Sequence, residues 1–257
     1  MTLHMIDMHS HIAWGIDDGM PTREDAIRSL RHAKQDGIDM ICSTPHVVPG
    51  QTYQEELKAI FARQKEAWQL AREYDITLFP GAEMFMNSFF IESLEDKLYE
   101  TINGTNYLLC EFDVTRDIHT YDESEREERL YEIKAHGMIP VIAHVERYFH
   151  HGIDYDIVDG WKKSGYIFQC NRTSLMGFNG KTIQQNAQEL MDGGYYSMVV
   201  TDTHRSHAPR EETLSDAYDF IEERYGKRTA QLLLAENPEA VLRGKDVTAV
   251  RGMRHGR

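Results

Sequence analysis

Long apolar runs and cysteine are both scarce in this chain. No stretch of the 257 residues approaches the roughly 18 uninterrupted apolar residues of a transmembrane helix. The opening MTLHMIDMHSH lacks the basic and apolar segments of a secretion signal. The three cysteines, Cys42, Cys110 and Cys170, cannot all pair, and each lies in an apolar run. These features predict a cytoplasmic protein with reduced, buried thiols and no membrane insertion.

Positive charge is also in short supply, with 28 Lys and Arg against 42 Asp and Glu and a formal net charge of −14. Without a basic stripe the chain is a poor partner for nucleic acid. A phosphorylated substrate stays possible, because bound cations would reverse the local charge of a site. The basic end VRGMRHGR predicts a disordered tail over 248–257. The sequence leaves the oligomeric state open.

A regular alternation of short apolar runs with longer amphipathic segments extends along the whole chain. The seven runs cover 4–9, 39–44, 76–81, 107–112, 139–144, 166–171 and 197–202. Thr22 followed by Asp25 resembles a helix capping box, and Gly37 is placed to end the same helix. Strand–helix alternation predicts an α/β fold, a parallel sheet with outer helices that is either open or closed into a barrel. The chain has no low-complexity linker, so 1–247 is predicted to form a single domain.

Metal-competent side chains follow six of the seven runs, at or just beyond the predicted strand end. In parallel sheets these ends form one edge, where functional sites are built. The candidates, with Asp18 added from the segment after the first run, are His9, His11, Asp18, His46, Glu83, Glu111, His144, Asp202 and His204. Taken alone, each motif is also compatible with a structural role. Their recurrence at successive strand ends favours one common site.

The donor types in this set indicate which ions the site would hold. Histidines two residues apart, as at His9 and His11, point to the same face of an extended chain. Imidazole nitrogens mixed with carboxylate oxygens suit Mn²⁺, Fe²⁺ or Zn²⁺ better than Mg²⁺ or Ca²⁺. Five histidines and four carboxylates are too many for one ion of four to six ligands. The sequence therefore predicts two or three divalent ions, which could clamp a phosphoryl group.

Arginines near the same strand ends are candidates for binding phosphate. Arg147 lies three residues beyond His144, and Arg210 follows His204 in the segment THRSHAPR. Guanidinium groups match phosphate geometry in bidentate pairs. Arg147 is predicted to bind phosphate, Arg210 is equally compatible with the surface, and Arg205 and Arg116 are predicted to be surface charges.

One phosphatase motif is rejected. Cys110 and Arg116 have the C-x5-R spacing of cysteine-dependent tyrosine phosphatases, whose loop presents flexible backbone N–H groups to phosphate and lowers the thiol pKa. The intervening EFDVT contains no glycine and two acids, which would repel phosphate and raise the thiol pKa. Cysteine chemistry is therefore not expected.

The ordered motifs DMHSH, DDG, STPH, GAE, CEF, AHVERY and TDTH resemble the polymerase-and-histidinol-phosphatase (PHP) family of metal-dependent phosphoesterases. More narrowly, MIDMHSHIAWGIDDG, IAHVERY and AENPEAVL are similar to bacterial tyrosine-protein phosphatases of capsule and exopolysaccharide operons (CpsB/YwqE type). The resemblance covers nearly all of 5–245. It implies a distorted seven-stranded β/α barrel, with Mn²⁺ as the expected metal and a phosphotyrosine-bearing bacterial kinase as the expected partner.

The resemblance also assigns roles to residues. It implies one ion held by His9, His11, Glu83 and Asp202, a second by Asp18, His46 and His204, and a third by Glu111, His144 and a bridging Glu83. Asp18 matches the family position better than Asp17, because it directly precedes Gly19. Arg147 and Arg210 match phosphate contacts. The implied reaction is in-line attack on phosphorus by a metal-bridging hydroxide, with a phenolate of pKa about 10 as leaving group.

Two other functions stay open from the sequence. A small-molecule phosphatase of the same superfamily, such as one acting on histidinol phosphate, would share the metal ligands. A non-catalytic, metal-bound docking module would need neither the full ligand set nor Arg147. A metal-dependent amide hydrolase is disfavoured, because the expected lysine at a strand end is missing.

Overall fold

Every strand pairing in the computed structural model, which describes residues 4–252, is parallel. The strands are β1 (Met5–Ser10), β2 (Ile38–Ser43), β3 (His46–Val47), β4 (Thr77–Pro80), β5 (Glu83–Phe85), β6 (Tyr107–Glu111), β7 (Ile139–Ile142), β8 (Ile167–Asn171) and β9 (Met198–Val200). The helices are α1 (Arg23–Asp36), α2 (Gln54–Arg72), α3 (Phe90–Glu95), α4 (Glu123–Ala135), α5 (Tyr155–Lys163), α6 (Arg172–Leu175), α7 (Lys181–Asp192), α8 (Ser215–Tyr225), α9 (Lys227–Gln231) and α10 (Asn237–Leu242).

The strands form two sheets. One has the order β1-β2-β4 and the other the order β3-β5-β6-β7-β8-β9. The first and last strands also approach each other, since the Asp202 amide donates to the His9 carbonyl and the His11 amide to the Thr203 carbonyl, both at 2.9 Å. The parallel strands therefore curl into a barrel-like arrangement with the helices outside.

The predicted α/β fold with a parallel, barrel-like sheet is confirmed, whereas the count of seven strands is not. Each predicted run contains one strand, but the described residues contain nine strands in all. The two extra strands, β3 and β5, follow β2 and β4 after gaps of two residues. They are too short to leave an apolar run of their own, and so the hydrophobic pattern does not reveal them.

Helix α1 shows how the outer helices are fixed to the sheet. The Thr22 side chain accepts a hydrogen bond from the Asp25 amide at its start, and Gly37 takes a left-handed conformation (φ 93°) at its end, as predicted. Ala26, Leu30 and Ala33, at helical spacing, are buried. The segment predicted as a loop and one long helix over 45–75 contains α2 as well as β3.

A cluster of buried apolar residues lies beneath the edge of the sheet where the candidate ligands are placed. It includes Leu109, Val141 and Val200, all fully buried. Leu109 and Val200 each precede a candidate ligand, Glu111 and Asp202, by two residues. Because alternate residues of a strand share a face, Glu111 lies on the same side of β6 as Leu109, whereas Asp202 follows the end of β9.

The packed chain extends beyond the predicted domain end at 247. Asn237 donates to the Thr248 carbonyl and accepts from the Thr248 amide at 2.9 and 2.8 Å, and Val250 is buried. The remainder of the predicted tail, 253–257, lies outside the described residues. Cys42, Cys110 and Cys170 are free and buried, as predicted. Within 4–252, no helix combines the length and apolar character that crossing a bilayer demands.

Candidate metal centre

All nine predicted ligands meet in one connected cluster at the carboxyl edge of the strands. Three groups have donor atoms close enough to share an ion. We name them the inner group (His9, His11, Glu83), the outer group (His11, Asp18, His46, His204) and the lateral group (His46, Glu83, Glu111). The neighbouring groups share members, so the cluster forms one continuous site.

The inner group is fully buried and its donor atoms face a common point. The Nε2 atoms of His9 and His11 lie 3.2 Å apart, and they lie 3.0 and 3.3 Å from the same Oε2 of Glu83. Asp202 Oδ1 approaches both rings, at 3.6 and 3.7 Å. Burial alone would raise the pKa of Glu83, but the surrounding histidines hold it well below its usual range.

The outer group lies nearer to solvent. Asp18 Oδ1 is 3.4 Å from His46 Nε2 and 3.3 Å from His204 Nε2, although the Asp18 side chain is 65% exposed. Hydrogen bonds from His204 and His46 lower the pKa of Asp18. Burial would lower the pKa of His46, but Asp18 and Glu111 raise it to about 12. For His204, burial is likewise outweighed, and Asp18 and Asp202 raise its pKa to about 9.

The lateral group differs in membership from the third set that the resemblance implies. His46 Nδ1 lies 3.3 Å from Glu83 and 3.2 Å from Glu111, and it takes the place expected for His144. His144 stays close, with Nε2 at 3.2 Å from Glu83 Oε1 and 3.5 Å from Glu111 Oε2. The allocation of ligands to individual ions therefore stays a prediction.

Two candidate ligands have unusual backbone conformations. His144 (φ 32°) and Asp202 (φ 53°) are non-glycine residues in the left-handed region, each two residues beyond the end of its strand, β7 or β9. Such conformations cost free energy and persist where the surroundings require them. Here they turn both side chains from the strand direction into the cluster.

Asp17, the neighbour of Asp18 that was not predicted as a ligand, orients the ligands. Its Oδ2 lies 2.7 Å from His11 Nδ1 and accepts from the His46 amide at 3.1 Å, while its Oδ1 accepts from the Gly19 amide at 2.9 Å. A carboxylate on the far nitrogen of a histidine is the usual support for a metal ligand, since it fixes the ring and its tautomer. Asp18 remains the member of this pair that faces the donor cluster.

Gly19 allows this turn to pack against His11. A Cβ added at Gly19 would lie 2.4 Å from the His11 Cβ and 2.6 Å from its carbonyl oxygen, both far inside contact distance. Arg205, predicted as a surface charge, is exposed but donates to the carbonyls of Asp18 and Gly19 at 2.7 and 3.1 Å. It therefore holds the turn as well.

Strand β8, whose run contains no histidine, aspartate or glutamate, contributes two supports that were not predicted from the sequence. Gln169 Oε1 lies 3.1 Å from His9 Nδ1, and Asn171 Nδ2 donates to Asp202 Oδ2 at 2.7 Å. Both amides are buried. Polar residues in the otherwise apolar run YIFQCN were the available signal, since a buried polar group requires a partner.

Both predicted phosphate-binding arginines border the cluster at Asp202. Arg147 Nη1 and Arg210 Nη2 lie 3.5 and 3.2 Å from Asp202 Oδ2, and their side chains are 21% and 38% exposed. Arg116 lies elsewhere, stacked on Tyr121 with its guanidinium carbon 4.3 Å from the ring centroid. Burial raises the pKa of the Cys110 thiol, which fits its rejection as a nucleophile.

The donor set fits divalent cations. Nitrogen and oxygen donors of four residues, His9, His11, Glu83 and Asp202, point to one buried position, and the far nitrogens of both rings are held by Gln169 and Asp17. Ligating histidines are held in this way by an outer shell. Mixed imidazole and carboxylate donors suit Mn²⁺, Fe²⁺ and Zn²⁺.

Comparisons with known proteins find relatives that are named tyrosine-protein phosphatases. The chain is 30% identical to the tyrosine-protein phosphatase CpsB of Streptococcus pneumoniae, across 93% of this chain and 98% of that protein. It is 28% identical to the tyrosine-protein phosphatase YwqE of Bacillus subtilis, across 95% of this chain and 93% of that protein. A crystal structure from a study of YwqE and CpsB, described as unique metal-dependent tyrosine phosphatases, superposes with a TM-score of 0.78 at 25% identity, over 98% of this chain and 100% of the other.

More distant structures share the fold alone. A TatD-like protein from Archaeoglobus fulgidus has a TM-score of 0.52 at 13% identity, over 93% of this chain and 99% of that one. The family model for capsular polysaccharide synthesis proteins CpsB/CapC matches residues 5–243. The chain therefore belongs to the CpsB/CapC family of capsular polysaccharide synthesis.

Proposed function

We propose that this protein is a metal-dependent protein-tyrosine phosphatase that acts on a bacterial tyrosine kinase controlling capsule or exopolysaccharide synthesis. The observation that carries the proposal is the convergence of nine nitrogen- and oxygen-bearing ligands beside two arginines, in a chain whose relatives are named tyrosine-protein phosphatases. Two or three ions, with Mn²⁺ as the expected metal, would occupy the inner, outer and lateral groups. When bound, they would polarise the phosphoryl oxygens and lower the pKa of a water nucleophile.

The protein side chains would divide the remaining work. Glu83 contacts histidines of all three groups and would fix the spacing between the ions. Arg147 and Arg210 keep further N–H groups beyond their contact with Asp202, and would bind phosphoryl oxygens as negative charge develops on them. Asp17, Gln169 and Asn171 would hold the ligands so that little reorganisation accompanies the reaction.

Three finer points are part of the proposal. β2 with β3, and β4 with β5, would each act as one interrupted strand, which would give a seven-stranded PHP-type barrel. The cytoplasm is the proposed location, supported by three free, buried cysteines. A single domain is the proposed organisation, supported by one buried apolar cluster with members from Met5 to Val250.

The test is phosphate release from a phosphotyrosine peptide before chelation, after chelation and after Mn²⁺ is restored. We expect activity to disappear with the metal and to return with it. His144→Ala should lose activity, and the matched control His136→Ala, at the exposed end of α4, should keep it. Activity that survives complete metal removal would contradict the proposal.

The same assay separates the alternatives. Faster turnover of histidinol phosphate than of the phosphopeptide would favour a small-molecule phosphatase. A metal-loaded protein that hydrolyses neither compound would favour a docking module. Metal content measured on each sample ensures that a negative result refers to loaded protein.

A further inference from the structure

A cavity of about 660 Å³ opens directly beside the metal centre, between the turn after β1 and helix α2. Its floor includes Asp18, His46 and Glu111, one from the outer group, one from the lateral group and one shared by both. A phosphoryl group bound at these ligands would therefore direct its ester substituent into this cavity.

The cavity wall next to the ligands is apolar. Ile16, Val48 and Phe85 line it, and all three are half-buried. Phe85 lies two residues beyond Glu83 on β5 and so shares its face of the strand, and Val48 directly follows β3, which begins at the ligand His46. A flat apolar group attached to the phosphate would pack against this wall, and aromatic rings gain most from such contact.

The outer part of the cavity carries only negative charge. Glu56, on the first turn of α2, lines it, and no lysine or arginine occurs among the described residues that line the cavity. A second anionic group on the substrate would be repelled here, whereas a cationic group would be attracted. Because Glu56 is exposed, this preference should weaken with added salt.

We propose that this cavity is the leaving-group subsite, which takes the phenyl ring of a phosphotyrosine against Phe85 and Val48 and favours a cationic substituent or neighbouring residue near Glu56. This inference rests on the proposed function, since it names the chemistry of the group that leaves. Such a subsite would favour aryl phosphates over simple alkyl phosphates, because an alkyl group would leave the apolar wall without a packing partner.

Non-hydrolysable phosphonates test the ring subsite by binding alone. Calorimetry on Mn²⁺-loaded protein should show phenylphosphonate binding about tenfold more tightly than methylphosphonate. Phe85→Ala should remove most of this preference and leave methylphosphonate affinity unchanged. Tyr131→Ala, which removes an exposed aromatic from α4, should keep the full preference. Equal weakening of both ligands by Phe85→Ala, or no weakening, would overturn the subsite.

A second pair of ligands tests the charge preference. Wild-type protein should bind 4-(aminomethyl)phenylphosphonate more tightly than 4-carboxyphenylphosphonate, by about threefold to tenfold at low salt. Glu56→Gln should reduce this ratio. The glutamine keeps a side-chain oxygen that can accept the hydrogen bond that the Tyr53 amide now donates to Glu56 at 3.1 Å. Glu55→Gln is the matched control, because it removes one charge from the same turn outside the cavity lining. An equal change in both variants would contradict a local role for Glu56.

Failure of the two proposals can be told apart. Ring-dependent phosphonate binding without phosphotyrosine hydrolysis would overturn the proposed function and keep the subsite. Phosphotyrosine hydrolysis with equal binding of phenyl- and methylphosphonate would overturn the subsite and keep the function.

Discussion

The inner and outer groups of the metal centre are built from similar residue types but differ in their surroundings. His9, His11 and Glu83 are completely enclosed, and each histidine has a protein partner on its far nitrogen. In the outer group Asp18 is largely exposed and His46 is partly exposed. The inner group is therefore preorganised by packing, whereas the outer group depends on a turn that solvent can reach.

This difference indicates separate tasks for the two groups. Buried ligands supported by hydrogen bonds should hold an ion tightly and lose it slowly, because their removal would leave several buried polar groups without partners. An ion at the outer group would border the cavity and solvent, and it would be the one in contact with incoming substrate. Substitutions in the two groups should accordingly have effects of different size.

The largest effect is expected for Glu83→Gln. This change removes a charge that four histidines share, namely His9, His11, His46 and His144. Loss of an outer-shell partner already costs about 10–100-fold in metal affinity or activity, so loss of this ligand should exceed about 100-fold in turnover. Metal analysis should show more than one ion lost per chain. Glu100→Gln, outside the site, is the control, and a full metal complement in Glu83→Gln would refute the shared role.

A smaller and more selective loss is expected for Asp18→Asn. The outer group would lose its only carboxylate, while the inner group keeps all its contacts. Metal content should fall by one ion per chain, and turnover should fall by about 100-fold or less. Asp219→Asn makes the same chemical change at an exposed position of α8 and should alter neither quantity. Loss of every ion in Asp18→Asn would show that the two groups do not load independently.

Asp17→Asn should weaken metal binding, and a saturating metal concentration should restore most of the turnover. The His46 amide now donates to the same carboxylate that holds His11 Nδ1. An asparagine would place an N–H group opposite one of these donors, and the His11 ring would therefore be held less firmly. We expect a 10–100-fold loss of metal affinity with nearly normal turnover at saturating Mn²⁺. Titration of activity against free Mn²⁺ measures both values. An unsaturable loss of turnover would instead make Asp17 a direct ligand.

The position of the centre could be predicted from sequence because its ligands follow apolar runs. His9, Glu111 and Asp202 each lie within two residues of the end of a strand, and parallel pairing then brings the strand ends to one edge. Neither step needs knowledge of side-chain packing. This is why the barrel-like α/β fold and the ligand cluster were both accessible.

The supporting residues could not be predicted in the same way, because their roles depend on contacts between distant segments. Gln169 reaches His9 across 160 residues of sequence, and Arg205 reaches the Asp18 carbonyl across 187. A single sequence does not show which buried amide meets which ring. The short strand β3 could not be predicted for a different reason, since two residues are too few to show an alternating apolar pattern.

The smallest predicted effect is the response of the metal-free protein to pH. Neighbouring carboxylates raise the pKa of both His144 and His204 from 6.5 to about 9, despite burial that acts in the opposite direction. A raised histidine pKa contributes stability that is complete below the unfolded value of about 6.5 and is lost as the pH rises through the folded value. The melting temperature of chelated protein should therefore fall from about pH 6.5 upward through pH 9, and His46, whose pKa is raised to about 12, adds to the loss in the same direction.

Metal binding should reverse this trend and so separate the two groups. Ligation requires neutral histidines, which makes metal affinity rise with pH, so Mn²⁺ should stabilise the protein more at pH 9 than at pH 6.5. In Asp18→Asn the chelated protein should show a shallower fall, because His204 loses the partner that contributes most to raising its pKa. Thermal melts of wild type and variant, with and without Mn²⁺, measure both slopes. Equal slopes in the two chelated proteins would show that Asp18 does not control the outer group. A shallower slope in Asp18→Asn would show that the pH dependence of the melting temperature arises from the outer group, the more exposed part of the centre.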